Sequence, residues 1–330
     1  MNHINNKILT ISVAAYNVEN TIENTLKSVT ECDDILNKIE IIVVNDGSKD
    51  STVQKVNKYI ECYPGVVFLV DKKNGGYGST INESLKIAKG KYFKLLDGDD
   101  TFETCNLLQY INYLEKVDDD IVISSYNEIH ISTGEKNIIE QHKKNDNNKS
   151  WDDIKSDIMM HEISVKTSVL RDNNIKISEN CFYTDNEFVF SALIYSRTFS
   201  IFSLPIYNYY LGQEGQSVSV EGIRKHYKDT ITVANKICTL FSICCKQGIT
   251  MSKVLERKIN SVVRNVYGSY FVIDIDGKMK QELISYDRSL KKNFAFAYKI
   301  TMKEKKIFIF RMFNYMFYKY ICDREQKLRK

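Results

Sequence analysis

Asp97-Gly98-Asp99-Asp100 sets carboxylates at i and i+2 directly after an apolar run, Lys91–Leu96. Unpaired carboxylates crowded at a strand end repel one another. A hard divalent cation such as Mg2+ or Mn2+ removes that cost, because oxygen donors suit it, and it is commonly bound together with phosphates. Taken alone, the tetrapeptide also makes an ordinary solvated turn. A second acidic turn lies upstream. Ile39–Val44 reads as a buried strand and ends in Asn45-Asp46-Gly47-Ser48. Asp46 then stands at the carboxyl end of a strand, where ligands of open α/β sheets bind. It accepts hydrogen bonds there from a base or ribose, or only caps the turn. A third run, Ile8–Val13, leads into Ala14-Ala15-Tyr16-Asn17. Tyr16 either stacks on a base or packs on the sheet. Gly75-Gly76-Tyr77-Gly78 lacks the spacing of a dinucleotide fingerprint and suits close backbone approach to a nucleotide at a helix start. Asn82 falls in that helix, where a buried hydrogen bond to a neighbouring loop is its plainest role.

Positioning these groups requires alternating strands and helices. The patterns predict strands near 8–13, 40–45, 66–71, 91–97 and 120–125, and helices near 20–30, 51–62, 79–89 and 103–116. On the helix from about Val18 to Val29, Ile22, Leu26 and Val29 share one face. This alternation argues for parallel strands. The polar stretch Glu135–Ser150 reads as a hairpin tip or loop. Residues 151–220 read as short mixed elements, with Arg197–Ser203 and Pro205–Tyr210 as edge strands and Gly212–Ser219 as a loop. From about Gly222 the pattern is helical. The expected organisation is a domain over 1–220, divided into a nucleotide-binding half (1–102) and an acceptor half (103–220), followed by a helical region over 221–330.

With 330 residues, 43% apolar and 27% charged, the chain is an ordinary globular protein with room for more than one domain. The net charge of +4 is unevenly spread. Lys278–Lys330 carries fifteen Lys or Arg against five Asp or Glu, so the preceding body is acidic. An acidic body argues against a nucleic-acid-binding protein and suits one that cradles a metal. The eight cysteines show no C-x-x-C spacing, and the start lacks the pattern of a secretory signal, which predicts reduced thiols in a cytoplasm. No run of 18 apolar residues predicts a spanning helix. Ile307–Ile321 holds 12 apolar or aromatic residues out of 15 and has basic flanks, Lys303, Lys305 and Lys306 before it and Arg324, Lys327, Arg329 and Lys330 after it. That is the pattern of an interfacial helix giving peripheral contact at the inner face of a membrane. The alternative is a helix packed on the body with a solvated basic end.

Five segments in this order resemble the family 2 glycosyltransferases: Ser12–Asn17, Val43–Thr52, Lys73–Asn82, Ala88–Phe93 and Leu96–Asp100. The resemblance is specific over the first hundred residues and continues less sharply to about residue 220. It implies the GT-A fold, an α/β Rossmann-like mixed sheet flanked by helices, here followed by a C-terminal helical region. It also implies an inverting transferase that moves sugar from a nucleotide-sugar, expected to be a UDP-sugar, onto a glycan or lipid-linked acceptor. By the same resemblance Tyr16 and Asp46 hold uracil and ribose, and Asp97 and Asp99 form the DxD motif, touching ribose and a divalent Mn2+ or Mg2+. The nucleotide-contacting set becomes Ala14, Tyr16, Asn17, Asp46, Gly76, Asp97, Gln216 and Ser217, the last two from a Gln-Ser-x-Ser segment near the diphosphate. The catalytic base falls on Asp185, with Thr184 where the family carries Glu and Glu187 as the fallback base. His161 and His226 are either ligand-binding or structural.

Two other functions compete. A nucleotidyltransferase would carry a basic, glycine-rich phosphate loop after the first strand, where this chain has Ala14-Ala15-Tyr16-Asn17. A binding module that kept the fold without turnover is favoured slightly by Thr184 and opposed by the intact DxD.

Overall fold

The computed structural model describes residues 7–140, 150–213, 216–217 and 219–328. It divides into two compact units, Met1–Gln213 and Glu214–Lys330.

In the first unit the strands are β1 (Leu9–Ala15), β2 (Ile39–Asn45), β3 (Val67–Asp71), β4 (Tyr92–Asp97), β5 (Thr101–Phe102), β6 (Ile121–His130), β7 (Glu135–Ile139), β8 (Ile163–Lys166) and β9 (Phe199–Leu211). The helices are α1 (Ile22–Thr30), α2 (Thr52–Cys62), α3 (Tyr77–Ile87), α4 (Thr104–Lys116), α5 (Thr167–Asp172) and α6 (Asp185–Tyr195). All nine strands form one mixed sheet in the order β3-β2-β1-β4-β8-β6-β9-β5, with β7 paired to β6. β3, β2, β1 and β4 run parallel, as the strand–helix alternation requires. β8 joins β4 and β6 antiparallel.

β1 is covered on both faces, which is why it reads as a nearly continuous apolar run. Its two internal hydroxyls are satisfied. Thr10 Oγ1 donates to Glu40 Oε1 at 2.6 Å, and Ser12 Oγ to Ser84 Oγ of α3 at 2.7 Å. The register sets Ala14 beside Val44 of β2 and beside Asp97 of β4. The three motif-bearing strand ends are therefore neighbours along one rim.

Several expectations change at their edges. β1 extends through Ala15 because both neighbouring strands continue to pair with it. α3 begins at Tyr77, two residues before the expected 79, because Gly76 supplies the left-handed turn (φ +79) that starts it. Arg197–Ser203 and Pro205–Tyr210 are not two edge strands. They form the single strand β9, held between β6 and β5, with a register irregularity opposite Ser124 and Ser125 that accommodates Pro205. Within the expected polar loop, Glu135–Ile139 is a strand, and the turn precedes it at 131–134. Positions 141–149 lie outside the described residues.

The second unit is helical: α7 (Val220–Lys246), α8 (Lys253–Ile273), α9 (Lys280–Asn293), α10 (Ala295–Ile300), α11 (Lys305–Met312) and α12 (Tyr318–Leu328). Ser219 and Ser252 cap α7 and α8 by accepting from Gly222 N and Leu255 N. A buried polar knot lies among the aromatics of this unit. Arg311 Nε donates to Asp287 Oδ1 at 2.7 Å, and Tyr267 and Tyr315 donate to the same carboxylate. No disulfide joins the eight cysteines. Among the described residues no helix is long and apolar enough to cross a membrane.

Candidate active site

The rim is laced together by backbone groups before any side-chain chemistry. Asp46 N donates to Ala15 O at 2.8 Å, and Gly98 N donates to Ala14 O at 3.0 Å. Gly98 is required there, since a Cβ would lie 2.7 Å from Ala14 O. The loop after β1 is bonded to the loop after β2. Asn17, in the left-handed region at φ +52, accepts from Lys49 N through Oδ1, and its own N donates to Ser48 Oγ. Tyr16 projects from this seam and is 52% exposed, so its ring face is open rather than packed on the sheet.

Asp46 is buried, and its carboxylate organises the glycine run. Oδ1 accepts from Gly75 N and Oδ2 from Gly76 N, each at 2.8 Å, and Lys72 Nζ pairs with Oδ1 at 2.7 Å. Gly76 thus shapes the rim through its N–H. Asn82 is spent on the neighbouring loop, exchanging hydrogen bonds with Ile177 O and N at 2.9 Å.

The three acidic residues of Asp97–Asp100 sit in different surroundings. Asp97 is half-buried and accepts from Tyr77 Oη at 2.7 Å; burial, then the charge of Asp99, push its carboxyl up to about 7. Burial also raises Asp99, whose carbonyl accepts from Gln213 Nε2 at 2.9 Å. Asp100 is fully buried, and both its oxygens are engaged, Oδ2 by Tyr207 Oη at 2.6 Å and Oδ1 by Tyr210 N at 2.9 Å. Burial and the neighbouring carboxylates hold it far above the usual range. Tyr207 also accepts from Asp97 N at 3.2 Å, so this one phenol ties the turn to β9. Tyr207→Phe is expected to lower stability by about 1–3 kcal/mol, read from the urea midpoint, because it strips a buried carboxyl of its donor.

His161 is buried within a box of Tyr126, Tyr207 and Tyr209, its ring centroid 4.4 Å from that of Tyr209. One ligand atom each from Asp97, Asp100 and His161 lies within 4.8 Å of the others. Lys94, three residues before Asp97, is wholly buried. It holds the His161 segment in place, donating to His161 O at 2.8 Å and to Ile163 O at 3.2 Å. Burial depresses it to about 7.

Asp185 starts α6, where the helix N-terminus favours an ionised carboxylate. Its charge helps to raise Asp97, Tyr77 and Tyr209, so it stands within electrostatic reach of the acidic turn. The preceding residue but one, Tyr183, is held at φ +64, a strained conformation for a bulky side chain and one that gathers at functional sites. Thr184 is fully buried, and its Oγ1 has no hydrogen-bond partner among the described residues. Glu187 is buried, with Oε2 accepting from Ser178 N at 2.9 Å, which suits a support for the loop better than a proton acceptor.

Ala14, Tyr16, Asn17, Asp46, Gly76, Asp97 and Asp99 thus come together at one rim of the first unit, with Asp185 in range. Gln216 and Ser217 belong to the second unit, where Gln216 O accepts from Ser219 N at 3.1 Å. His226 is there too, with Nδ1 3.4 Å from Asp229 Oδ2. Sequence reasoning passed over Lys72, Tyr77, Lys94, Tyr207 and Gln213. Lys94 carried a signal, a lysine inside an otherwise apolar strand.

The donor set fits a hard divalent cation. It is dominated by carboxylate oxygens whose protonation is raised by burial first and, at Asp97 and Asp100, by the neighbouring carboxylates as well, and a cation offsets both costs. Asp97 must lose its proton to ligate, so apparent Mn2+ affinity is expected to fall by about tenfold per pH unit below about 7. Calorimetric Mn2+ titrations from pH 5.5 to 8, an interval chosen to bracket that titration, check this. The sign for stability runs opposite to that of an ordinary carboxylate. Asp97 keeps a proton in the folded state that the unfolded chain has lost between roughly pH 4 and 7, so the metal-free fold loses stability as pH rises through that window.

Comparison with known proteins agrees with this architecture. Poly(ribitol-phosphate) beta-glucosyltransferase of Bacillus spizizenii is 27% identical over 217 residues, covering 64% of this chain and 33% of that protein. Minor teichoic acid biosynthesis protein GgaB of Bacillus subtilis is 27% identical over 209 residues, 61% of this chain and 23% of that one. The chain spans about a third or less of the length of these two relatives. Among solved structures, S. aureus TarS 1–349 in complex with UDP superposes with a TM-score of 0.68 at 17% identity, covering 98% of this chain and 92% of that chain. A mannosyltransferase from Pyrobaculum calidifontis in complex with GDP-Man and Mn2+ gives a TM-score of 0.51 at 14% identity, with 98% and 87% covered. These likenesses show the fold, a GT-A type mixed sheet flanked by helices and followed by a helical region. The family model for glycosyl transferase family 2 matches residues 10–177, just over half of the sequence, and the chain belongs to that family.

Proposed function

We propose that this chain transfers a sugar, with inversion, from a UDP-sugar to a hydroxyl of a polyol-phosphate polysaccharide of the teichoic-acid type. The observation that carries the reading is the meeting of Asp97 and Asp99 at the strand rim with Asp185 in electrostatic reach, in a family 2 chain. The relatives' names supply the acceptor class, and the UDP bound by the S. aureus neighbour supplies the donor.

Tyr16 offers an open ring face for the base, and Asp46 with the Gly75–Gly76 amides frames the nucleotide edge. Asp97 and Asp99 would hold the divalent ion, which when bound stabilises charge on the diphosphate. Asp100, with both oxygens already engaged, braces the turn. The acceptor oxygen attacks the anomeric carbon from the face opposite the diphosphate, and the bond to the diphosphate oxygen breaks as the new one forms. Asp185 takes the hydroxyl proton during that step, since an alcohol does not release it beforehand. One displacement inverts the centre.

The second reading, a module that binds nucleotide-sugar without turnover, rests on Thr184 standing where the family carries Glu, with a hydroxyl that has no hydrogen-bond partner among the described residues. Nucleotide release from a panel of UDP- and GDP-sugars with Mn2+ and a polyol-phosphate acceptor separates the two. Acceptor-dependent UDP release is expected. Tight donor binding with no release under any pairing would favour the module.

A further inference from the structure

The segment expected to form one interfacial helix is instead two short helices joined by a turn. Its inward face is fully used. Ile307 and Phe310 of α11 and Tyr318, Ile321 and Cys322 of α12 are buried, with Phe310 against Tyr267 and Tyr318. The outward face also carries large apolar groups, set among exposed Lys305, Asn314 and Lys319. Met312 is 59% exposed, Met316 70% and Tyr320 62%, and Phe308, Phe313 and Phe317 are exposed beside them.

The turn is built rather than slack. Asn314 and Tyr315 both take left-handed backbone, at φ +46 and +67. That conformation is held because Tyr315 is anchored, its ring 4.7 Å from Phe310 and its hydroxyl donating to Asp287 at 3.0 Å. The anchor leaves Phe313 and Met316 facing solvent, and Phe313 and Phe317 meet edge-on at 4.9 Å. Monomer surfaces rarely concentrate so many large apolar groups in one short stretch.

We propose that this crest docks the chain onto an anionic lipid surface. Charge selects the occupant. Between Lys303 and Leu328 there are seven Lys or Arg against three Asp or Glu. Arg311 is buried against Asp287, and the remaining basic residues flank the crest. Ion pairs Lys319–Asp323, Lys306–Glu325 and Lys303–Glu256 neutralise part of this charge, and the excess falls on exposed Lys305 at the start of α11 and on exposed Arg324 and Lys327 of α12. Aromatic and Met side chains enter the interfacial region, while lysine stems lie along it with their ammonium groups at the phosphates. The inference is independent of the chemistry at the acidic rim.

The test is co-sedimentation of the full chain with phosphatidylcholine vesicles, with and without phosphatidylglycerol. Binding is expected on the anionic vesicles, weaker by about tenfold or more on the neutral ones or in high salt. The triple variant Met312→Ser/Phe313→Ser/Met316→Ser should lose about tenfold or more in vesicle affinity, with its circular dichroism and soluble UDP-sugar turnover unchanged. Lys305→Glu/Lys327→Glu should weaken only the anionic binding. The proposal is overturned if the wild type stays in the supernatant with both vesicles, or if the triple variant sediments like it. It is also overturned if those substitutions instead abolish self-association seen by light scattering while no vesicle binding occurs.

Discussion

Asp185→Asn should bind UDP-sugar as the wild type does and transfer it about 10²–10⁴-fold more slowly. The substitution keeps the size and the first-turn position of the side chain and removes its negative charge together with its capacity to take a proton. Helix α6 is held independently of this side chain because residues 187–194 are buried, Phe188 against Phe93, and the retained amide oxygen can still accept from Asn186 Nδ2. Donor affinity by calorimetry and single-turnover transfer together separate the two effects. Loss of binding in step with rate would mark Asp185 as a donor ligand. Unchanged transfer would move the base elsewhere, and Glu187→Gln is then the control, expected to cost stability through Ser178 rather than rate.

Asp99→Asn should lower turnover by about 10²–10³-fold and remove most of the Mn2+ dependence of UDP binding. Asp99 is partly accessible, and its carboxylate is not committed to a protein donor in the way that Asp100 is committed to Tyr207 and Tyr210. Asp100→Asn is the informative contrast. It should cost folding stability through those two contacts, and its Mn2+ dependence should remain. If the two variants exchanged behaviours, the ion would belong to Asp97, Asp100 and His161, the grouping whose ligand atoms lie within 4.8 Å.

Much of the first unit was legible because its signals are local. The β-branched run before Asp46 and the apolar run before Asp97 mark buried strands, and glycines mark the turns that follow. β9 was misread as two strands because its irregularity at Pro205 looks like a break until β6 is laid beside it. The acidic turn was visible, and the division of labour within it was not. Only the fold brings Tyr207, 110 residues away, onto Asp97 N and makes Asp100 a brace. Lys94 and Tyr77 were hidden for the same reason, since their partners His161 and Asp97 lie 67 and 20 residues off along the chain. The aromatic segment near 307–321 was legible in composition. Its turn was not, because it depends on Tyr315 finding Asp287.

The most direct measurement is anomalous diffraction at the manganese edge from a crystal of the full chain soaked with UDP and Mn2+. The ion should lie about 2 Å from carboxylate oxygens of Asp97 and Asp99 and from the diphosphate, with uracil on Tyr16. Manganese and UDP found away from this rim, or an ion held by other residues with no contact to the diphosphate, would contradict the account.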